Sequence, residues 1–388
     1  MLKKFRKILL LPLFLAGYLS YGSLLHAQEL APDKQVTTKA QVLEILKQEV
    51  KKVPGTDVNG SFQTISVKIL EGEEKGAIVT VENDYLSLKV GETFYLMHTT
   101  DVLNGRDYYT VLEPYRLPSV YFFIGLFIVC VLLFGGIQGL RGLLSLAGSF
   151  FLIVYVLLPG ITSGYSPIVV SIGVSSLIII LGSYITHGFN KTTSSAVIGM
   201  IMTVLCTGAL AYTAVHTARL SGMADEESIY LNLDTRGTID FSGLLFGGIM
   251  IGLLGVLYDV AIGQAIAVEE LHSVGPHLPR KMIYKRAIRM GREHIGALVN
   301  TLAIAYVGAS LPLLLLFYSN NSELGMTINR EVFSTEIIRT MIGSIGLIVA
   351  VPITTFISTI LLIKHTDVKD EKIIEQEQHA LEHVGHHH

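Results

Sequence analysis

The sequence after Leu117 is built from apolar runs that are long enough, or nearly so, to cross the hydrocarbon core of a bilayer. A transmembrane helix needs about 20 mostly apolar residues, because the core is about 30 Å thick and a helix rises about 1.5 Å per residue. Breaks fall at Pro159-Gly160, Ser166-Pro167 and His187-Gly188. The pattern predicts about seven transmembrane helices, over residues 119–134, 143–158, 167–185, 195–215, 241–262, 295–317 and 340–363.

The composition also indicates that lipid is the solvent for this part of the chain. Of the 388 residues, 50% are hydrophobic and only 16% are charged, whereas a soluble globular protein carries about a quarter. The formal net charge of −3 argues against a nucleic-acid partner. Cys130 and Cys206 both lie inside apolar runs, so they indicate packing positions rather than a disulfide or a metal site.

The N-terminus has the pattern of an export signal. Lys3, Lys4, Arg6 and Lys7 precede an apolar stretch, and a small-residue cleavage site follows at Ala27. Residues 1–27 are therefore a signal peptide or, because Leu25 is not a small residue, an uncleaved anchor. In either case the following segment is expected to lie outside the cytoplasm.

Residues 30–116 have a different pattern, with short alternating segments separated by turn residues. Turns are predicted at Pro54-Gly55, Asn59-Gly60 and Asn104-Gly105. Five strands are expected, over residues 40–46, 64–70, 77–81, 92–98 and 108–115. The fold class is therefore a mostly α-helical integral membrane protein with a small N-terminal extracytoplasmic β-rich domain, OB-like in shape.

The charges in the loops predict the orientation of the spans. One set of loops carries most of the lysine and arginine, including six basic residues between Arg280 and Arg292, whereas the opposite set holds Arg219, Arg236, Arg330 and Arg339. Positively charged loops stay in the cytoplasm. The tail, residues 364–388, is then cytoplasmic and residues 30–116 are outside, as the export signal also requires. The histidines at the end of the tail have three interpretations: a weak metal site, an expression tag, or part of a solvated tail.

The fifth span combines glycines with a carboxylate. Gly243, Gly247, Gly255 and Asp259 are separated by multiples of four residues, which favours one helical face. Glycines at this spacing allow a neighbouring helix to approach closely. An ionisable residue within a membrane predicts a functional site. The alternative is an aspartate in interfacial water.

The sixth span is the other polar one. Asn300 and Thr301 lie within two turns of its inner end, at a depth similar to that of Asp259, so a contact between Asp259 and Asn300 is expected. Pro312 removes a backbone donor and predicts a kink near the Gly308 carbonyl. Residues 264–294 join the two spans as a basic segment, either a helix on anionic lipid or a coupling element for a cytosolic partner.

The stretches "YDVAIGQAIAVEEL" and "GREHIGALVNTLAIAYVGASLPLLLLF", with the signal sequence and the β-rich segment, resemble the YibE/F family of bacterial membrane proteins. The resemblance covers roughly residues 40–363. It implies a multi-span membrane protein of a bacterium and supplies no activity, substrate, cofactor or catalytic residue.

Two functions follow from these observations. The first is a transport-related permease with Asp259, Asn300 and Thr301 lining a polar site, because small-residue faces and proline kinks are typical of a moving helical bundle. The second is a scaffold or accessory subunit of the plasma membrane that binds a protein partner, or itself, through its outer domain and basic segment. The sequence carries no HExxH or GxSxG motif to indicate an intramembrane enzyme.

Overall fold

A computed structural model describes residues 34–52, 59–84, 86–101, 105–319 and 323–363. The predicted signal segment 1–27, the tail 364–388 and the turn residues Pro54, Gly55 and Asn104 lie outside these ranges. Contacts divide the chain into two units, one ending at Phe127 and the other beginning at Ile128.

The first unit contains a five-stranded antiparallel sheet. Its strands are β1 (Lys34–Lys52), β2 (Asn59–Ile69), β3 (Ile78–Asn83), β4 (Thr93–Asp101) and β5 (Arg106–Pro114), in the order β3-β2-β1-β4-β5. All five predicted strands are present, most of them longer than expected. The turn predicted at Asn59-Gly60 is wrong, because these residues begin β2 and pair with Lys51 and Lys52 of β1.

The sheet curls into a half-barrel around an apolar core. Strand β1 has two register shifts against β2, and the edge strands β3 and β5 approach each other; bulges of this kind bend a strand and increase its twist. The inward-facing residues are Ala40, Val42, Ile65, Val67, Ile69, Val81, Leu88, Phe94, Leu96 and Val111. The more specific expectation of an OB-like fold stays a prediction.

The second unit is helical. Helix α1 (Leu117–Leu152) begins before this unit and continues into it. The elements that follow are a π-helical turn (Ile153–Leu157), α2 (Leu158–Thr162), α3 (Pro167–His187), α4 (Lys191–Thr217), α5 (Glu226–Asp234), α6 (Phe241–Val274), α7 (Arg280–Ala309), α8 (Leu311–Ser319), α9 (Leu324–Ile328) and α10 (Glu331–Leu362). Within the described ranges, five helical stretches are long and apolar enough to cross a membrane, or six if the bent pair α7–α8 is one span. The chain is therefore a membrane protein, and the count of seven stays a prediction.

The longest of these stretches, Leu117–Thr162, contains a sharp bend. Gly136 has φ +53° and ψ −136°, outside the helical region. A methyl group added at Gly139 would clash with the Val131 carbonyl oxygen. Eight residues of straight helix would separate these positions by about 12 Å, so the chain turns back on itself here. The bend falls between the first two predicted spans.

The bundle core lies between α3, α4, α6 and α10. Phe246, Met250 and Leu257 of α6 are among its largest fully buried side chains. Two glycines bring α10 close to its neighbours: Gly199 of α4 faces Thr354, and Gly346 faces Leu253 of α6. Because lipid tails are as apolar as the helices, helices in a membrane associate through close packing, and small residues at their contacts allow it.

The sixth predicted span is broken. Helix α7 ends at Ala309, α8 begins at Leu311, and the two axes differ by 66°. The Ser310 amide donates a hydrogen bond to the Tyr306 carbonyl at 3.0 Å, which closes the last turn of α7. The break agrees with the kink predicted from Pro312. Pro352, by contrast, lies inside an uninterrupted α10.

Candidate functional site

Asp259 lies on a face of α6 that the rest of the described chain leaves mostly open, with Tyr306 of α7 near it at Gly252. Its neighbours on that face are Gly248, Gly252, Gly255 and Gly263, and all five positions are exposed. Asp259 is at the nineteenth position of this 34-residue helix, roughly 27 Å from its start. The helix continues past Gln264 to Val274, so the carboxylate is near the middle of α6 rather than at its end.

The predicted glycine face divides into two parts in the structure. A methyl group at Gly243 would lie 3.4 Å from Pro167 Cβ of α3, and one at Gly247 would clash with Ser171 Oγ. At Gly255 it would meet nothing within 4 Å. The cause is geometric, because each four-residue step rotates about 40° around a helix of 3.6 residues per turn, so Gly243 and Asp259 are about 160° apart.

Helices α6 and α7 run antiparallel, and two contacts fix their register. A methyl group at Gly291 would lie 2.8 Å from Gln264 Nε2, and one at Gly252 would lie 3.2 Å from Tyr306 Oη. Interpolation between these contacts puts Asp259 level with about residue 297 of α7, and Asn300 about one turn farther along.

Asn300 and Thr301 are both exposed, as Asp259 is. The Thr301 hydroxyl donates to the Ala297 carbonyl of its own helix at 2.9 Å. Among the described residues, Asp259 and Asn300 are not joined by a hydrogen bond. The structure thus brings these residues to neighbouring helices at similar depth, and their contact stays a prediction.

The basic segment between the fifth and sixth spans is the end of α6 and the start of α7. Arg280 donates from Nε to the Ile363 carbonyl at 3.0 Å and from Nη2 to the Ile360 carbonyl at 3.4 Å, so it caps the C-terminus of α10. A cation at a helix C-terminus is favourable. Four other basic residues form an exposed stripe on α7: Lys281, Lys285, Arg289 and Arg292.

A polar cluster is buried beside Arg280 at the same end of the bundle. The Thr355 hydroxyl is 2.9 Å from Gln264 Oε1, which joins α10 to α6. Ser195 Oγ is 2.9 Å from Ser358 Oγ, which joins α4 to α10. These four residues are at most 5% exposed. Hydrogen bonds between helices hold a bundle in register in lipid.

A cavity of about 280 Å³ lies at the opposite end of α10, beside the break between α7 and α8. Its wall contains Asp225, Ser310, Thr335, Glu336 and Arg339, together with the apolar residues Leu245, Pro312, Leu313 and Val332. Charged side chains therefore line a cavity at the point where a span is interrupted.

The loop between α4 and α5 closes one side of this cavity. Glu331, the first residue of α10, accepts hydrogen bonds from the Ser221 amide at 2.6 Å, the Ser221 hydroxyl at 2.9 Å and the Gly222 amide at 2.9 Å. Gly222 has φ +76°, and an added methyl group there would clash with the Phe241 carbonyl. Only glycine fits this turn.

The polar groups of the cavity are only partly satisfied. Arg339 Nη1 donates to Glu336 Oε1 at 2.8 Å, and the Ser310 hydroxyl lies 3.4 Å from Glu336 Oε2. Within the described residues, Arg339 Nε and the Thr335 hydroxyl are buried and have no hydrogen-bond partner. Thr335 as a whole is 6% exposed. Such groups can donate hydrogen bonds to a solute.

The loop charges predict a loop position for Arg339, and Glu336 and Thr335 are not among the predicted site residues. The available signal was the pair Glu336 and Arg339, which are three residues apart and lie on one helix face just before an apolar run. The last helix begins at Glu331 rather than at residue 340, and this extra length brings the pair into the bundle.

These features define a helical membrane protein of several spans that carries an N-terminal antiparallel sheet. The model of the YibE/F-like protein family matches residues 123–364, more than half of the chain. The chain therefore belongs to the YibE/F-like family, as its resemblance indicated. Neither the curated proteins nor the solved structures contain a match to it.

Proposed function

We propose that this chain is a transport-related permease of the bacterial plasma membrane, with a polar site between its fifth and sixth spans. The observation that carries the proposal is the break between α7 and α8 in the sixth span. A cavity lies beside this break, and Leu245 of the fifth span and Glu336 and Arg339 of the last helix also line it. Transporters commonly bind solutes at broken helices, since irregular backbone is tolerated at membrane depth where it lines a cavity.

Asp259, Asn300 and Thr301 continue this polar site toward the other end of α7. A charged side chain that faces lipid at the centre of the membrane costs about 2.5–3.5 kcal/mol, so Asp259 should face water or protein. Its position at the depth of Asn300 supports a shared water-filled groove between α6 and α7.

The proposed topology has seven spans, with the bend at Gly136 separating the first two. The sheet domain is outside and the tail inside, as the loop charges favour. In this orientation the cavity opens to the outer side. The order β3-β2-β1-β4-β5, with β3 close to β5, supports an OB-like barrel for the sheet.

Cysteine labelling tests whether water reaches the site from both sides. In a chain with Cys130→Ala and Cys206→Ala, single cysteines replace Ser310 in the cavity and Asn300 in the groove. Leu205→Cys, at an exposed apolar position in the middle of α4, is the lipid-facing control. A membrane-impermeant maleimide should label Ser310→Cys in intact cells and Asn300→Cys in inside-out vesicles, and Leu205→Cys in neither.

A Lys285→Cys variant checks the orientation in the same experiment. It should be labelled only in inside-out vesicles. Labelling of Lys285→Cys in intact cells would contradict the seven-span orientation. Absence of labelling at both Ser310→Cys and Asn300→Cys would contradict a water-filled pathway along α7.

A scaffold or accessory subunit is the second candidate. The observation that favours it is α1, whose large apolar residues, among them Phe122, Phe123, Leu133 and Phe134, are exposed. A partner helix could cover them as well as lipid does. A scaffold should retain a stoichiometric partner when purified in mild detergent, whereas a self-sufficient permease should purify alone or as copies of itself.

A further inference from the structure

We propose that the cavity beside the α7–α8 break binds a small zwitterionic solute, one that carries both a carboxylate and an ammonium group. The proposal rests on the proposed function, because it names the class of solute that a permease would take up there. It depends on three observations about the cavity wall: its unpaired donors, its charges and its volume.

The unpaired donors favour an anionic group. Thr335 and Arg339 are four residues apart on α10, so their side chains lie on the same helical face. The Thr335 hydroxyl and Arg339 Nε are both buried without a partner among the described residues. Arg339 Nη1 already binds Glu336, which leaves Nε free to donate to a second acceptor. A carboxylate can accept from both groups, and hydrogen bonds from a charged donor are among the strongest.

The acidic side chains of the wall favour a cationic group. Asp225 accepts a hydrogen bond from the Ser228 amide at 2.8 Å through Oδ1, and Oδ2 has no partner in the described part of the chain. Among the residues that the structure describes, Glu336 Oε2 has a single polar contact, with the Ser310 hydroxyl at 3.4 Å. Glu331, which accepts from Ser221 and Gly222, is occupied by the loop. Asp225 and Glu336 are thus the carboxylates left to meet an ammonium group.

The balance of charge separates a zwitterion from a simple ion. The wall carries two acidic side chains and one basic side chain. A simple anion would be repelled by Asp225 and Glu336 even where Arg339 attracts it. A simple cation would leave the Arg339 and Thr335 donors without an acceptor. A solute with both charges gives the Arg339 and Thr335 donors an acceptor and places an ammonium group beside the two carboxylates. The volume of about 280 Å³ is just below the roughly 300 Å³ at which pockets for drug-sized ligands begin, so the solute is small.

Thermal unfolding of the purified full-length chain in detergent tests this site, with glycine as the zwitterionic probe. Acetate and methylammonium, at the same concentration as glycine, are the controls that carry a single charge. Glycine should raise the Tm in a saturable way, and acetate and methylammonium should raise it less. Binding to the folded state alone stabilises that state by mass action.

Two variants assign the effect to the cavity. Thr335→Val keeps the shape of the side chain and should weaken the glycine effect about 3- to 10-fold in concentration, the loss expected for one hydrogen bond. Thr340→Val is the matched control, because its hydroxyl bonds to the Glu336 carbonyl of the same helix and lies outside the cavity wall. Should Thr335→Val fail to fold, Glu336→Gln removes the charge of the carboxylate and should also weaken the response to glycine.

Three results would overturn the proposal: no response to glycine, an equal response to acetate or methylammonium alone, or an unchanged response in both Thr335→Val and Glu336→Gln. If the glycine response fails while maleimide still reaches Ser310→Cys and Asn300→Cys, the zwitterion site is wrong and the permease proposal stands. If glycine binds and neither cysteine is labelled, the site survives and the pathway does not.

Discussion

The Glu336 carboxylate and the Arg339 guanidinium lie 2.8 Å apart across one turn of α10, where the sixth span is broken. Both side chains are about 30% exposed or less, so neither is fully in water nor fully buried. An ion pair at the edge of a membrane bundle is costly to place without a role. The pair lies within the last helix, and the Ser310 hydroxyl, 3.4 Å from Glu336 Oε2, connects it to the interrupted span. The opposite end of the last helix carries the buried hydroxyl cluster.

The contact between Thr355 and Gln264 should contribute to the stability of the bundle. Thr355→Val removes the hydroxyl and leaves the buried Gln264 carbonyl oxygen without its partner, which should lower the free energy of unfolding by about 1–3 kcal/mol. Thermal unfolding in detergent measures the change. Thr340→Val should shift stability by less than about 0.5 kcal/mol. Equal effects of the two variants would show that the contact is not a stabilising one.

Gly199 of α4 packs so closely against α10 that no larger residue should fit at this position. A methyl group there would lie 2.9 Å from Thr354 Cα, so the backbone of α10 would have to move. Gly199→Ala should therefore destabilise the chain by about 1–3 kcal/mol.

Gly173→Ala is the matched control for this substitution. A methyl group at Gly173 of α3 meets nothing within 4 Å. The gain in helix propensity should make Gly173→Ala neutral or stabilising by up to about 1 kcal/mol. If Gly199→Ala behaved in the same way in unfolding experiments, the close approach of α4 and α10 would be wrong.

Local patterns predicted a large part of the fold. The strands of the sheet follow from period-two alternation, and the helices follow from apolar runs, because both signals lie in neighbouring residues. The kink near Pro312 was also predictable from a local rule. The turn at Asn59-Gly60 failed because long-range pairing with Lys51 and Lys52 extends β2 through a dipeptide that locally favours a turn.

The site was harder to predict than the fold. The spacing by multiples of four residues predicted one helical face for Gly243 and Asp259. Each four-residue step rotates the position by about 40° around the helix, so over sixteen residues the two side chains point in different directions. The partners of Asp259 depend on how α6 and α7 cross, which the sequence does not state. The cavity brings together Asp225, Ser310 and Glu336 from three separate parts of the chain. That arrangement is a property of tertiary packing.

The sheet should weaken in acid at the β4–β5 pair. The Asp107 carboxylate lies 2.9 Å from His98 Nε2 and accepts from the Thr100 hydroxyl at 2.8 Å. These hydrogen bonds, that of His98 foremost, hold the pKa of Asp107 below its ordinary value. The charged carboxylate therefore stabilises the fold above the unfolded pKa of about 3.9, and this contribution is lost as the pH falls through the lower folded pKa.

Hydrogen exchange of peptides covering residues 93–114, corrected for intrinsic rates, measures this contribution. At pH 6 the full-length chain should be better protected than its Asp107→Asn variant, and at pH 3 the difference should shrink. A difference of the same size at both pH values would show that the charge of Asp107 has no part in it.

Residues 30–116 expressed alone should fold as a monomeric β domain. Five strands with a buried apolar face exceed the three that independent stability generally requires. Circular dichroism and dispersed amide resonances would report the fold, and sedimentation would report the monomer. A random-coil spectrum would show that the sheet needs the helical part or a partner.

Solute uptake tests the central claim, passage of a small polar solute along α6 and α7, most directly. Vesicles containing the full-length chain, vesicles containing Asp259→Asn at equal density and protein-free vesicles are incubated with a mixture of small polar metabolites, and their contents are followed by mass spectrometry. We expect at least one solute to enter wild-type vesicles ten-fold faster or more, and Asp259→Asn to lose most of this uptake while remaining folded. Entry of the whole mixture at the protein-free rate into wild-type vesicles would contradict the account.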